Sequence, residues 1–217
     1  MERLSKKADI EQAQTAFDAV FKSSDPFGEP FQDAIRSRIL IYEASRPLDR
    51  WHFDNIAYAA DVAGNTSAFI AVTETARDFR KMELWKLDLS DTDEWKRYRA
   101  GKPDAFYNSL ENALYSADGT WGLLVSCEDH GLLGGSDEFV QAFLSRNGAN
   151  AADVVEFLDR WEKIRRGDLK LGNAKELEWL LRSVPNVLRH VYGDHGAIRF
   201  HSEILGIDID VPLFPRQ

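Results

Sequence analysis

Apolar residues recur at helical spacing through Ile10, Ala13, Phe17, Val20 and Phe21, and Pro26, Gly28 and Pro30 then break the pattern. This predicts a first helix ending near Lys22. After Pro30 the positions Phe31, Ala34, Ile35, Arg38, Ile39 and Tyr42 suit a second helix, although the run Ile39-Leu40-Ile41-Tyr42 suits a buried strand equally well. The helix is the reading adopted. Between Asn55 and Thr73 the period shortens to two: Ile56, Tyr58, Ala60 and Val62 share a face, Gly64-Asn65 has turn chemistry, and Ala68, Ile70 and Val72 follow. A hairpin is expected there, with a further strand at Glu83–Leu89.

Asp91 is a candidate N-cap for a short helix, with Glu94 reaching back in a capping-box arrangement and Gly101 closing it. Pro103 suits the first turn of another helix, on which Phe106, Tyr107, Leu110, Ala113 and Leu114 line one face up to Gly119. Two apolar runs flanking Glu128-Asp129-His130-Gly131, within Trp121 to Gly135, predict a second hairpin. Ser136 then caps a helix carrying Phe139, Val140, Phe143 and Leu144, ended by Gly148. A longer helix is expected from Ala151 to about Arg166, with the stripe Val154, Phe157, Leu158, Trp161 and Ile164 opposite a charged face.

Further on, Asn173 and Glu176 resemble a capping box, and a stripe from Leu177 to Val191 continues past Pro185, which predicts two short helices or one bent at Pro185. One or two strands are expected between Ala197 and Val211. Helices and strands come in mixed runs without βαβ alternation, which predicts an α+β fold: a mixed or antiparallel sheet built from hairpins and packed against several amphipathic helices. With no interdomain linker, residues 1–217 are expected to form a single α+β domain.

Composition supports a full core. The chain has 217 residues, 44% of them hydrophobic with 13 Phe and 6 Trp, which is far from the signature of disorder. A single cysteine, Cys127, excludes an intramolecular disulfide and any zinc-knuckle spacing, and fits a reducing compartment. The N-terminal residues lack the apolar core of a signal peptide, and no stretch reaches the ~18 apolar residues of a membrane span, so a cytoplasmic protein is expected. The net charge of −9, from 36 acidic and 27 basic residues, disfavours direct nucleic-acid binding; it would attract a basic partner, although keeping the protein soluble is the commoner role of such a charge.

Candidate chemistry is sparse. Cys127 and His130 lie three residues apart and hold the minimum for a thiol–imidazole nucleophile, but no orienting residue follows a known pattern, and a small buried cysteine is the commoner role. His190, His195 and His201, with Asp194 and Glu203, are good metal-ligand types, but their intervals do not place two on one helix face. Asp88, Asp91, Asp93 and Glu94 lack the glycine and closing glutamate of a calcium loop. Phosphate-loop, dinucleotide and nucleophile-elbow motifs are missing, and Gly134-Gly135 is better read as a turn before the Ser136 cap than as an anion cradle. No cofactor or metal is expected. The acidic groups Asp88, Asp91, Asp93, Glu94, Glu128 and Asp129 are the candidate partner-binding residues, although a solvated loop is the commoner role for the acids near Asp88. Trp179, off its stripe, is a candidate interface anchor, although such a ring more often covers the edge of a core.

The Trp121–Phe143 stretch, within residues 95–146, resembles bacterial immunity proteins, the small antitoxins of polymorphic-toxin and contact-dependent-inhibition systems. That resemblance carries over no site residue. It implies a non-enzymatic cytosolic protein that neutralises a basic toxin domain by stoichiometric binding. Two other expectations compete with it: a small hydrolase or transferase using Cys127/His130 or a His190/His195/His201 metal site, and a component that assembles with itself as a homo-oligomer.

Overall fold

The computed structural model describes residues 1–42, 44, 48–74, 79–100, 110–147, 150–167 and 183–193. The elements run β1 (Glu2–Arg3), α1 (Lys7–Val20), β2 (Ser37–Tyr42), α2 (Arg50–Val62), β3 (Ser67–Val72), β4 (Leu84–Asp88), α3 (Glu94–Ala100), β5 (Asn112–Ser116), β6 (Gly122–Val125), β7 (His130–Gly135), α4 (Asp137–Asn147) and α5 (Asn150–Arg166). Residues 183–193 are helical as well. The strands form a seven-stranded sheet in the order β1-β4-β3-β5-β6-β7-β2, and every pairing is antiparallel. This is the expected α+β class, with the sheet antiparallel rather than mixed.

Helices cover both sheet faces. On one face, α1, α5 and residues 183–193 pack Phe17, Phe157, Trp161 and Val187 against Leu40, Phe69, Tyr115, Leu124 and Leu132. On the other, α2 and α4 pack Phe53, Ile56, Phe139 and Phe143 against Ile39, Ile41, Ile70, Trp85, Leu123 and Leu133. Successive side chains in a strand point to opposite faces, so a strand buried on both sides reads as a continuous apolar run. Strands β5, β6 and β7 are buried at every position.

That double burial corrects two expectations. Ile39-Leu40-Ile41 belongs to strand β2, because Leu40 enters one core while Ile39 and Ile41 enter the other. Ala113 and Leu114 likewise lie in strand β5, on opposite faces, so the helix expected from Pro103 does not reach them. Residues 101–109, where it would begin, lie outside the described residues.

The first expected hairpin is also corrected, since residues 50–62 form helix α2. His52, Phe53, Ile56, Ala59 and Ala60 supply a buried stripe at helical spacing, and the Asp49 carboxylate accepts the His52 N–H at 2.7 Å. Alanines at positions 57, 59 and 60 favour a helix intrinsically. The second strand of that hairpin is present as β3, and it pairs with β4 and β5 instead of its expected neighbour.

Gly134-Gly135, expected as a turn, instead end strand β7 and pair with Arg38 and Ser37, and the short helix expected from Asp91 begins at Glu94. Other expected elements within the described residues stand. Helix α1 ends two residues before Lys22, β4 occupies the expected strand, and β6–β7 is the expected hairpin. Ser136 caps α4 by accepting the Phe139 N–H at 3.2 Å. The whole α5 stripe is buried, as are Val184, Val187 and Leu188 in residues 183–193. The expected Gly101 and Gly148 helix ends, the Asn173/Glu176 start, Trp179 and the strands after Ala197 lie outside the described residues.

Candidate functional site

The strand register separates the candidate acidic residues into two groups. Asp88 pairs with Ser67 in β3, and Ala68 pairs with Ser116 in β5, so the β4–α3 corner stands at one end of the sheet. Val125 pairs with both Asn112 and Gly131, so the β6–β7 turn holding Glu128 and Asp129 stands at the other end. Asp88, Asp91, Asp93 and Glu94 are brought together; Glu128 and Asp129 are not part of that group.

At the β4–α3 corner the acids differ in their duties. Glu94 is fully buried, and its carboxylate accepts the Asp88 N–H at 3.1 Å, the Arg97 Nε–H at 2.5 Å and the α-ammonium of Met1 at 2.8 Å. The capping box is therefore corrected: Glu94 reaches past Asp91 to Asp88, while Asp91 accepts the Asp93 N–H at 2.9 Å and pairs with Arg97. The Asp93 N–H and then the Arg97 guanidinium hold the Asp91 carboxyl below its ordinary value. Asp93 pairs with Lys96 at 2.6 Å. Asp88 accepts the Ser90 N–H and hydroxyl, and no cation of the described residues pairs with it.

Beside this corner lies a feature the sequence reading missed. The outward face of α2 carries Trp51, Asp54, Tyr58, Asp61 and Val62 at intervals of three and four residues. Of the four exposed large hydrophobic residues among the described residues, Trp51, Tyr58 and Val62 lie on this one stripe, with Trp51 at 48% and Tyr58 at 39% exposure. A groove of about 500 Å³ runs between α2 and the segment leading into α3, lined by Phe53, Ala57, Tyr58, Leu89, Trp95 and others. It shares Thr66, Ser90 and Asp91 with a second depression of about 450 Å³ at the β4–α3 corner. The aromatic stripe and the acidic corner therefore form one continuous surface.

Guanidinium groups of the chain already lie on these rings. Arg146 of α4 stands 4.7 Å from the Tyr58 ring centroid, and Arg50 stands 5.7 Å from that of Trp95 while pairing with Asp54 at 3.3 Å. Asp61, exposed, lines the same groove without an ion pair among the described residues. The signal was present in the sequence, in the spacing of Trp51, Tyr58 and Val62 after Asp49, but a period-two reading that took in Tyr58 and Val62 concealed it.

At the opposite end, Arg160 of α5 clasps the β6–β7 turn, bonding Asp129 at 3.0 Å and approaching Glu128 at 3.6 Å. Asp129 adopts a left-handed conformation, φ 57°, which aspartate tolerates better than most residues. These two carboxylates thus fasten α5 to the sheet.

The Cys127/His130 pair is divided by burial. Cys127 is exposed, and its N–H donates to Glu111 Oε1 at 2.9 Å. His130 points into the core between Phe27 and Phe157, with Nε2 3.3 Å from the Pro26 carbonyl. Burial pushes its pKa down to about 4, so the ring is neutral near pH 7. His190 stacks on Phe31, accepts the Phe31 N–H at Nε2 and has its pKa lowered to about 3, chiefly by burial and next by Arg38. His195, His201, Asp194 and Glu203 lie outside the described residues, among which no cluster of potential metal ligands occurs.

Among the described residues no helix is long and apolar enough to cross a membrane. Comparison of the chain with protein-family models, with curated proteins and with solved structures gave no match.

Proposed function

We propose that the chain is a non-enzymatic cytoplasmic binding protein, an immunity protein that neutralises a cognate basic toxin domain by forming a stoichiometric complex. The observation that carries this reading is the alignment of Trp51, Tyr58 and Val62 on the outer face of α2, alongside Asp61, Asp88 and Asp91. Exposed aromatic side chains supply most of the energy at protein interfaces, and carboxylates around them steer a basic partner into register. The net charge of −9 acts in the same direction over longer range.

Occupation of a toxin's active site fits this chemistry. A nuclease grips phosphate with lysine and arginine, and an acidic surface with an aromatic anchor competes for those same groups. The test is co-expression with a basic toxin domain, which this reading expects to be encoded beside the chain. Host survival and a 1:1 complex by sedimentation are expected; death of the host with no complex would overturn the reading.

A further inference from the structure

Resting on that reading, we infer that the groove between α2 and α3 receives an arginine side chain of the partner, which stacks on Tyr58 and pairs with Asp61. Tyr58 stands on the helix between Asp54, four residues before it, and Asp61, three residues after it. Residues at those intervals are neighbours on a helix surface, so the ring is flanked by carboxylates on both sides. A planar cation over the ring face and within reach of a carboxylate satisfies both.

The chain itself shows which cation the rings accept. Two of the three groove aromatics carry a guanidinium, Arg146 on Tyr58 and Arg50 on Trp95, while the third, Phe53, is buried. Arg50 is also tied to Asp54, whereas Arg146 is exposed and has no ion pair among the described residues. Arg146 is therefore the weaker occupant, and an incoming arginine displaces it while gaining Asp61. Lysine, a compact and strongly hydrated charge, fits the stacked arrangement less well.

The experiment uses the full chain with two probe peptides of equal charge, tetra-arginine and tetralysine, followed by backbone amide shifts. Tetra-arginine is expected to shift residues 54–61 and Arg146, with binding about fivefold weaker in Tyr58→Ala and Asp61→Asn, and about threefold weaker for tetralysine. Arg146→Gln, which removes the internal competitor, is expected to tighten tetra-arginine binding. The variants alter exposed side chains, and unchanged thermal unfolding checks that they fold. Equal affinity for the two peptides, no effect of Tyr58→Ala, or shifts centred on Glu128 and Asp129 would each overturn the inference while leaving toxin neutralisation standing. Groove binding by tetra-arginine without neutralisation of the toxin would sink the broader reading alone.

Discussion

His130 and His190 show how burial decides the state of a single side chain. Both are neutral in the fold, with pKa values near 4 and 3, while an unfolded chain holds a histidine near ~6.5. Between those values the unfolded chain binds more protons than the folded one, so stability falls as pH drops below ~6.5 and continues to fall until the folded-state values are reached. The slope is about 1.4 kcal/mol per pH unit for each histidine in that window. Urea midpoints measured at pH 7 and pH 5 should therefore decline, and His130→Gln should flatten the decline; an unchanged slope in that variant would show that His130 is not buried as described. At Gly122 the constraint is steric. A Cβ there would lie 2.6 Å from Phe21 Cζ and 2.7 Å from Val20 Cγ1, where the end of α1 presses on the sheet. Gly122→Ala should cost about 1–3 kcal/mol of stability in denaturant titrations, through overpacking.

Among the elements, α2 and α5 make a pair of opposites. Helix α5 buries its whole stripe, so Phe157→Ala, which empties a site beside His130 and Trp161, should cost about 3–5 kcal/mol. Helix α2 leaves a stripe outside, so Tyr58→Ala should change stability by less than about 0.5 kcal/mol while weakening partner binding. The same denaturation and binding measurements separate the two cases. Legibility in the sequence followed burial. Helices α4 and α5 were readable because one face is buried and the other wet, which prints a 3.6-residue period. Covering both faces of the sheet erases the period-two signal in β5, β6 and β7 alike; β6 and β7 stayed legible by the polar turn between them, whereas in β5 the spacing of Leu110, Ala113 and Leu114 imitates a helix. In α2, Tyr58 and Val62 are apolar but exposed, and they completed a false alternation with Ile56 and Ala60. The residues that misled the reading of the element are those that mark the candidate surface.

Across the whole molecule, charge is distributed unevenly in its availability. Glu128 and Asp129 are engaged by Arg160, and Glu94 is buried among the Met1 ammonium, Arg97 and the Asp88 N–H. Asp61 and Asp88 carry no ion pair among the described residues and face the two joined depressions. The acidic composition was legible from the sequence, but which acids face outward without a cation depends on register and on Arg160, neither of which composition encodes. Association with a basic partner should accordingly slow as salt rises from about 0.05 to 0.5 M, because screening shortens the reach of those charges. Asp61→Asn should slow it further, and Glu128→Gln should leave it near the parent rate; stopped-flow mixing reads both.

The most direct test is hydrogen exchange on the chain alone and with one equivalent of the proposed toxin partner. Slowed exchange over residues 50–62 and 88–97 is the predicted result. Protection confined to the β6–β7 turn and α5, or none anywhere, would contradict the account.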